Sequence, residues 1–162
     1  ASQKAVCEAF AAAAAGSKSE FKLTAAILQA MWDKWVLLAT MGGITCLMRA
    51  PIGDIASTGS GEKITLALLG EAAAVAGAEG YPTPEAVLAS YRGMLTQKGS
   101  LFGASMMRDI EAGGAAEGDH ILGAMLARAR AHSLATPMLE VAATHLETYA
   151  LRRAREAAAK PR

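Results

Sequence analysis

The sequence predicts an all-α domain, and three observations carry that prediction. Ala occurs 38 times and Leu 17 times, against 12 Val and Ile combined. Ala and Leu lose least on entering a helix, whereas β-branched residues favour strands. Aromatic residues, the other main strand formers, make up only 5%. Gly, Pro and N-capping residues also punctuate the chain at intervals of helix length. With 162 residues, 52% hydrophobic and 19% charged, the chain is long enough for one well-buried core and too apolar to be disordered.

The elements follow in order. A first helix is predicted over 3–15, stopped by Gly16. A second begins between 19 and 24 and carries Ile27, Met31, Trp32, Trp35, Leu38 and Ala39 at helical spacing toward 48. Gly42-Gly43 should weaken or kink it, and Ala50-Pro51-Ile52-Gly53 should break it. A short turn of helix is expected over Ile52–Ala56. Ser60 is the expected N-cap of a helix over 62–78. Thr83 as N-cap, with Pro84 at the first helical position, opens the next, over 84–97. Ser105 is expected to cap a short helix over 106–112, stopped by Gly113-Gly114, and another is expected over 116–132. Thr136-Pro137 repeats the cap-plus-proline signal and opens a last helix over 137–158. That makes about seven helices besides the short turn. There is no internal repeat, charged linker or second compositional zone, so residues 1–162 read as one domain.

Charge narrows the function classes. Sixteen Lys and Arg against fifteen Asp and Glu leave +1, which implies neither a nucleic-acid nor a membrane field. The basic end around Arg152, Arg153 and Arg155 is interrupted by Glu156 and reads as a cationic helix terminus. The uncharged stretch 35–48 is shorter than the roughly 20 residues of a membrane span. Cys7 and Cys46 make no disulfide framework, which fits a cytoplasmic location. No secretory signal is visible, and the missing initial Met is consistent with a processed start or a fragment.

Most site chemistry is weak. Gly59-Ser60-Gly61 has no third glycine and no strand before it, so it fails the dinucleotide fingerprint; no Walker-type loop exists either. Glu117, Asp119 and His120 project at different angles from a helix start, and His120, His132 and His145 share no ligand spacing, so no metal site is expected. His132 reads as a favourable charge at a helix end. Cys46 lies in the most apolar stretch, where a thiol is inert. Lys34 is the most suggestive residue. It stands between Trp32 and Trp35, with Leu38 and Gly42 one and two turns on. A lysine on such a face is partly desolvated, which lowers its pKa and suits it to proton transfer. The bland alternative is a lysine whose stem covers apolar surface.

Three segments together resemble the ketopantoate reductase family. Trp32-x-Lys34 leads through an apolar helix to Pro51-x-Gly53. Ser105-Met106 is followed by Asp109-x-x-x-Gly113 and the acidic pair Glu117 and Asp119. The segment from Leu122-Gly123-Ala124 to Thr136-Pro137 is similar to the family's glycine-containing helix and proline-initiated last helix. The resemblance is to the family's C-terminal domain alone. It implies a single helical bundle of the 6-phosphogluconate-dehydrogenase C-terminal-like type, with the N-terminal dinucleotide-binding domain absent from this chain.

The family reduces 2-dehydropantoate to its 2-hydroxy acid with NADPH, on the route to pantothenate and coenzyme A. The resemblance implies Lys34 as the catalytic proton donor, with Ser105 and Glu117 binding and orienting a small 2-oxo acid. It implies NADPH bound by the full-length protein and not by this chain alone, and contacts that build a homodimer. The departures are Leu38 and Gly42, which stand where the family usually has asparagines. They argue for a smaller or more apolar 2-oxo acid. They also motivate the alternative of a non-catalytic helical binding or oligomerisation module.

Overall fold

A computed structural model describes residues 3–18, 23–116 and 118–159. It contains eight α-helices and no strand among the described residues: α1 (Gln3–Ala14), α2 (Ile27–Met48), α3 (Ile52–Ala56), α4 (Gly61–Ala78), α5 (Glu85–Leu95), α6 (Ser105–Glu111), α7 (Ala124–Ala131) and α8 (Pro137–Ala158). A π-helical turn, Asp119–Gly123, runs directly into α7. α1 buries none of its residues.

α2 is the axis of the bundle. Val36, Ala39 and the run 40–46 are all buried, because α3 to α6, α8 and the π turn pack around it. Being apolar on every side in its second half, it reads as a core helix. Its buried hydroxyls are satisfied within the helix: Thr40 Oγ1 donates to Val36 O at 2.8 Å and Thr45 Oγ1 to Met41 O at 2.7 Å.

The expected break at Gly42-Gly43 is not there, and α2 is one continuous helix. The pair serves close approach instead. A Cβ on Gly43 would stand 3.0 Å from both Leu122 and Leu68 and 3.3 Å from Ala142, the side chains of three separate elements. Two helical glycines cost about 1 kcal/mol each relative to Ala. Close packing of three elements on α2 offsets that cost.

Four helix starts differ from expectation. α2 begins at Ile27, after the expected 19–24. Pro84 is the N-cap of α5 rather than its first helical residue, and the buried Thr83 hydroxyl has no hydrogen-bond partner. Ala104, not Ser105, is the N-cap of α6, so Ser105 is the first residue of the helix itself. The 116–132 helix opens with the π turn, where a Cβ on Gly118 would meet Leu146 at 2.7 Å; α8 crowds the chain there.

At α8 the sequence signal is right in position and incomplete in chemistry. Thr136 is the N-cap and Pro137 the first residue, but the Thr136 side chain makes no capping hydrogen bond. Glu71 of α4 does the capping, accepting from Met138 N at 3.1 Å and Leu139 N at 2.8 Å. A carboxylate at a helix N-terminus answers both the free N–H groups and the dipole. Glu71→Ala should therefore destabilise the protein by about 1–3 kcal/mol. The urea midpoint should fall at constant slope, and an unmoved midpoint would show that another group caps α8.

Candidate active site

The N-terminal half of α2 is half-buried, and its outward side forms one wall of a cleft of about 480 Å³. Leu28, Met31, Trp32, Trp35 and Leu38 line it from α2, and His120, Ile121 and Arg128 close it from the π turn and α7. Lys34 stands among these residues and is exposed. Its apolar flanks therefore do not bury it.

The aromatic side is fixed by a linked set of contacts. The Trp32 and Trp35 rings lie 4.8 Å apart, and Trp32 stacks on Tyr81 at 5.7 Å. The Arg128 guanidinium sits 4.9 Å from the Trp35 ring centre and 5.8 Å from that of Trp32, a cation–π arrangement. The Trp35 indole N–H donates to Ile121 O at 3.0 Å and ties α2 to the π turn. Glu79 holds the far side of Arg128 at 3.7 Å and also pairs with His132 at 2.9 Å.

Next to Lys34, Asp33 holds Gln29, which anchors the α4–α5 connection, and Tyr91 of α5. Gln29 Nε2 donates to Asp33 Oδ1 at 2.8 Å and to Pro82 O at 3.3 Å, while the Tyr91 hydroxyl donates to Asp33 O at 3.1 Å. Burial, and then the negative charge of Asp33, raise the Tyr91 pKa. The phenol stays protonated and keeps donating.

The predicted site residues separate into three cases. Lys34 and Leu38 both line the cleft. Along the same side of α2, a Cβ on Gly42 would meet the Met106 Cε at 2.9 Å. The space beside Gly42 is thus filled by the residue that follows Ser105. Ser105 itself is exposed at the start of α6 and lies outside the cleft lining. Glu117 lies outside the described residues. Among the described residues, no group of three His, Cys, Asp or Glu side chains is placed to hold a metal ion. Cys46 is fully buried, and desolvation pushes its pKa up to about 12, with Arg49 opposing and Asp109 adding; it is an inert thiol.

Sequence reasoning missed Arg128, and Ile121, whose role is its backbone carbonyl. Arg128 and Glu79 are distant in sequence and share no motif, so only the folded chain pairs them. The short glycine loop is also explained. A Cβ on Gly61 would fall 1.7 Å from Ile55 O, so Gly61 lets α4 start against α3.

Residues 26–150 match the model of the family described as ketopantoate reductase PanE/ApbA C terminal. Over 134 residues the chain is 34% identical to the uncharacterized oxidoreductase YkpB of Bacillus subtilis, covering 83% of this chain and 44% of that protein. A dimeric ketopantoate reductase from Staphylococcus aureus superposes with a TM-score of 0.82 at 27% identity, covering 92% of this chain and 52% of that one. D-mandelate dehydrogenase, solved with NADH and anilino(oxo)acetate, shares the fold with a TM-score of 0.80 at 19% identity, over 94% of this chain and 50% of that one. The chain spans about half the length of the proteins it matches. No helix among the described residues is long and apolar enough to cross a membrane. On the match over 26–150, the chain belongs to the ketopantoate reductase PanE/ApbA C-terminal domain family.

Proposed function

We propose that this chain is the substrate-side domain of an NADPH-dependent 2-oxo acid reductase of the 2-dehydropantoate 2-reductase kind, with Lys34 as proton donor. The observation that carries the reading is Lys34 at the cleft, flanked by apolar walls and by Arg128. NADPH belongs to a dinucleotide-binding half outside these residues. Within this chain the chemistry is that of the proton. Reduction of the keto carbon leaves negative charge on its oxygen. The Lys34 ammonium stabilises that charge and gives up a proton to it. Being exposed, the amine then regains its proton from water.

Ser105 and Glu117 are assigned to substrate binding and orientation by their motif. A homodimer is part of the same proposal, since the Staphylococcus aureus protein is dimeric. The second reading is a non-catalytic helical module. Leu38 and Gly42 favour it, because they remove two amides from the site, and so does Ser105 lying outside the cleft lining.

Turnover separates the two. The full-length protein should oxidise NADPH in the presence of a 2-oxo acid, and the 162-residue chain alone should not. Clear activity of the chain alone would overturn the division of labour. A full-length protein with no activity on any 2-oxo acid would leave the module reading.

A further inference from the structure

A 2-oxo acid presents two negative centres during reduction, the carboxylate it brings and the oxygen that forms beside it. Lys34, as proton donor, answers the second. Ser105, to which the motif gives substrate binding, lies outside the cleft lining, so the carboxylate needs a donor from the cleft itself. Among the described residues the polar side chains of the lining are Lys34, His120 and Arg128, with no carboxylate. His120 is exposed. Arg128 is held on three sides. Its Nη1 donates to Ala124 O at 3.1 Å, its Nε lies 3.7 Å from Glu79 Oε2, and the guanidinium sits 4.9 Å from the Trp35 ring centre. Glu79 stands outside the lining, at the end of α4, and its other oxygen pairs with His132. These contacts leave Arg128 Nη2 with two N–H donors and no partner among the described residues.

We propose that Arg128 anchors the carboxylate of the 2-oxo acid through Nη2, and that Glu79 is the positioning residue that aims it. The proposal rests on the reductase reading and assigns the second cation of its site. Lys34 and Arg128 line one cleft from facing elements, α2 and α7. Anchoring the carboxylate on one therefore presents the neighbouring keto oxygen to the other. Two tethered nitrogens and a ring face fix the guanidinium before the acid arrives, so little freedom is lost on binding.

The test uses the full-length protein with NADPH and whichever of 2-dehydropantoate, 3-methyl-2-oxobutanoate and phenylglyoxylate the wild type reduces best. Arg128→Ala should raise KM by about 10- to 100-fold, the loss expected for one hydrogen bond between charged groups, and leave kcat within about threefold. Guanidinium chloride, far below denaturing concentration, should restore part of that KM by filling the place over Trp35. Glu79→Gln should raise KM by about twofold to fivefold in the wild type and add nothing in the Arg128→Ala background. Thermal unfolding of each variant is measured alongside. A folded Arg128→Ala variant with unchanged KM would overturn the anchor. So would a loss confined to kcat, or one that guanidinium does not relieve. Additive losses in the double variant would overturn the role given to Glu79. Failure of the wild type to reduce any of the three acids would overturn the reductase reading itself, and this proposal with it.

Discussion

Replacing Lys34 with alanine in the full-length protein should lower kcat by about 10²- to 10⁴-fold while leaving the unfolding midpoint where it was. The two halves of this expectation have separate causes. Lys34 is exposed and makes no hydrogen bond or ion pair with the described residues, so the fold does not depend on it. Exposed substitutions of this kind fall within about 0.5 kcal/mol. Under the proposed mechanism the rate, in contrast, depends on an ammonium beside an oxygen that becomes an alkoxide.

Lys34→Arg sharpens the test. Arginine keeps the positive charge and cannot release its proton at neutral pH. It should recover part of the KM effect and little of kcat. A variant in which only KM rises would place Lys34 in uniform binding rather than in proton transfer. Near-wild-type turnover in Lys34→Ala would remove it from the mechanism.

Gly53→Ala should cost about 3 kcal/mol or more, or prevent folding. Gly53 is the glycine of the Pro51-x-Gly53 signature. The α3 backbone lies directly on the loop before α6: Ile52 N donates to Phe102 O at 2.8 Å and Gly53 N to Ser100 O at 2.9 Å. A Cβ on Gly53 would sit 2.3 Å from Ser100 N and 2.6 Å from Ser100 O. These are backbone atoms, which cannot rotate aside as the Met106 methyl beside Gly42 can. One methyl group must push α3 off the loop and break both hydrogen bonds. The same loop continues to Ala104, whose N–H reaches Thr45 Oγ1 at 3.4 Å, and then to Ser105. Activity should therefore fall with stability in Gly53→Ala and fall without it in Lys34→Ala. Measuring urea midpoints of the two full-length variants side by side checks the contrast.

Helix positions were legible because local chemistry sets them. Gly16, Pro51 and Pro137 remove or redirect backbone geometry wherever they stand. The burial of α2 was legible because an uncharged run of that length has few other places to go. What stayed illegible depends on partners brought by folding. Gly42-Gly43 spells flexibility by itself, yet Leu68, Leu122 and Ala142 press around the Gly43 position and the helix continues. Thr136 looks like the cap of α8, yet Glu71 from α4 reaches the N–H groups first. Of the cleft lining, Lys34 and Leu38 stood out by motif and spacing. The exposure of Lys34 and the Arg128–tryptophan cluster depend on tertiary structure.

The hydrogen bond from Trp35 to Ile121 has a mechanical consequence. Together with Arg128, lying over the tryptophans and held by Glu79, it fastens the two walls of the cleft to each other. Spreading those walls would strand an indole N–H and a main-chain carbonyl, at about 1–3 kcal/mol for each group left unpaired. The helical side is thus a fixed jaw. In the two-domain reductase proposed above, closure over the substrate would fall to the opposing half.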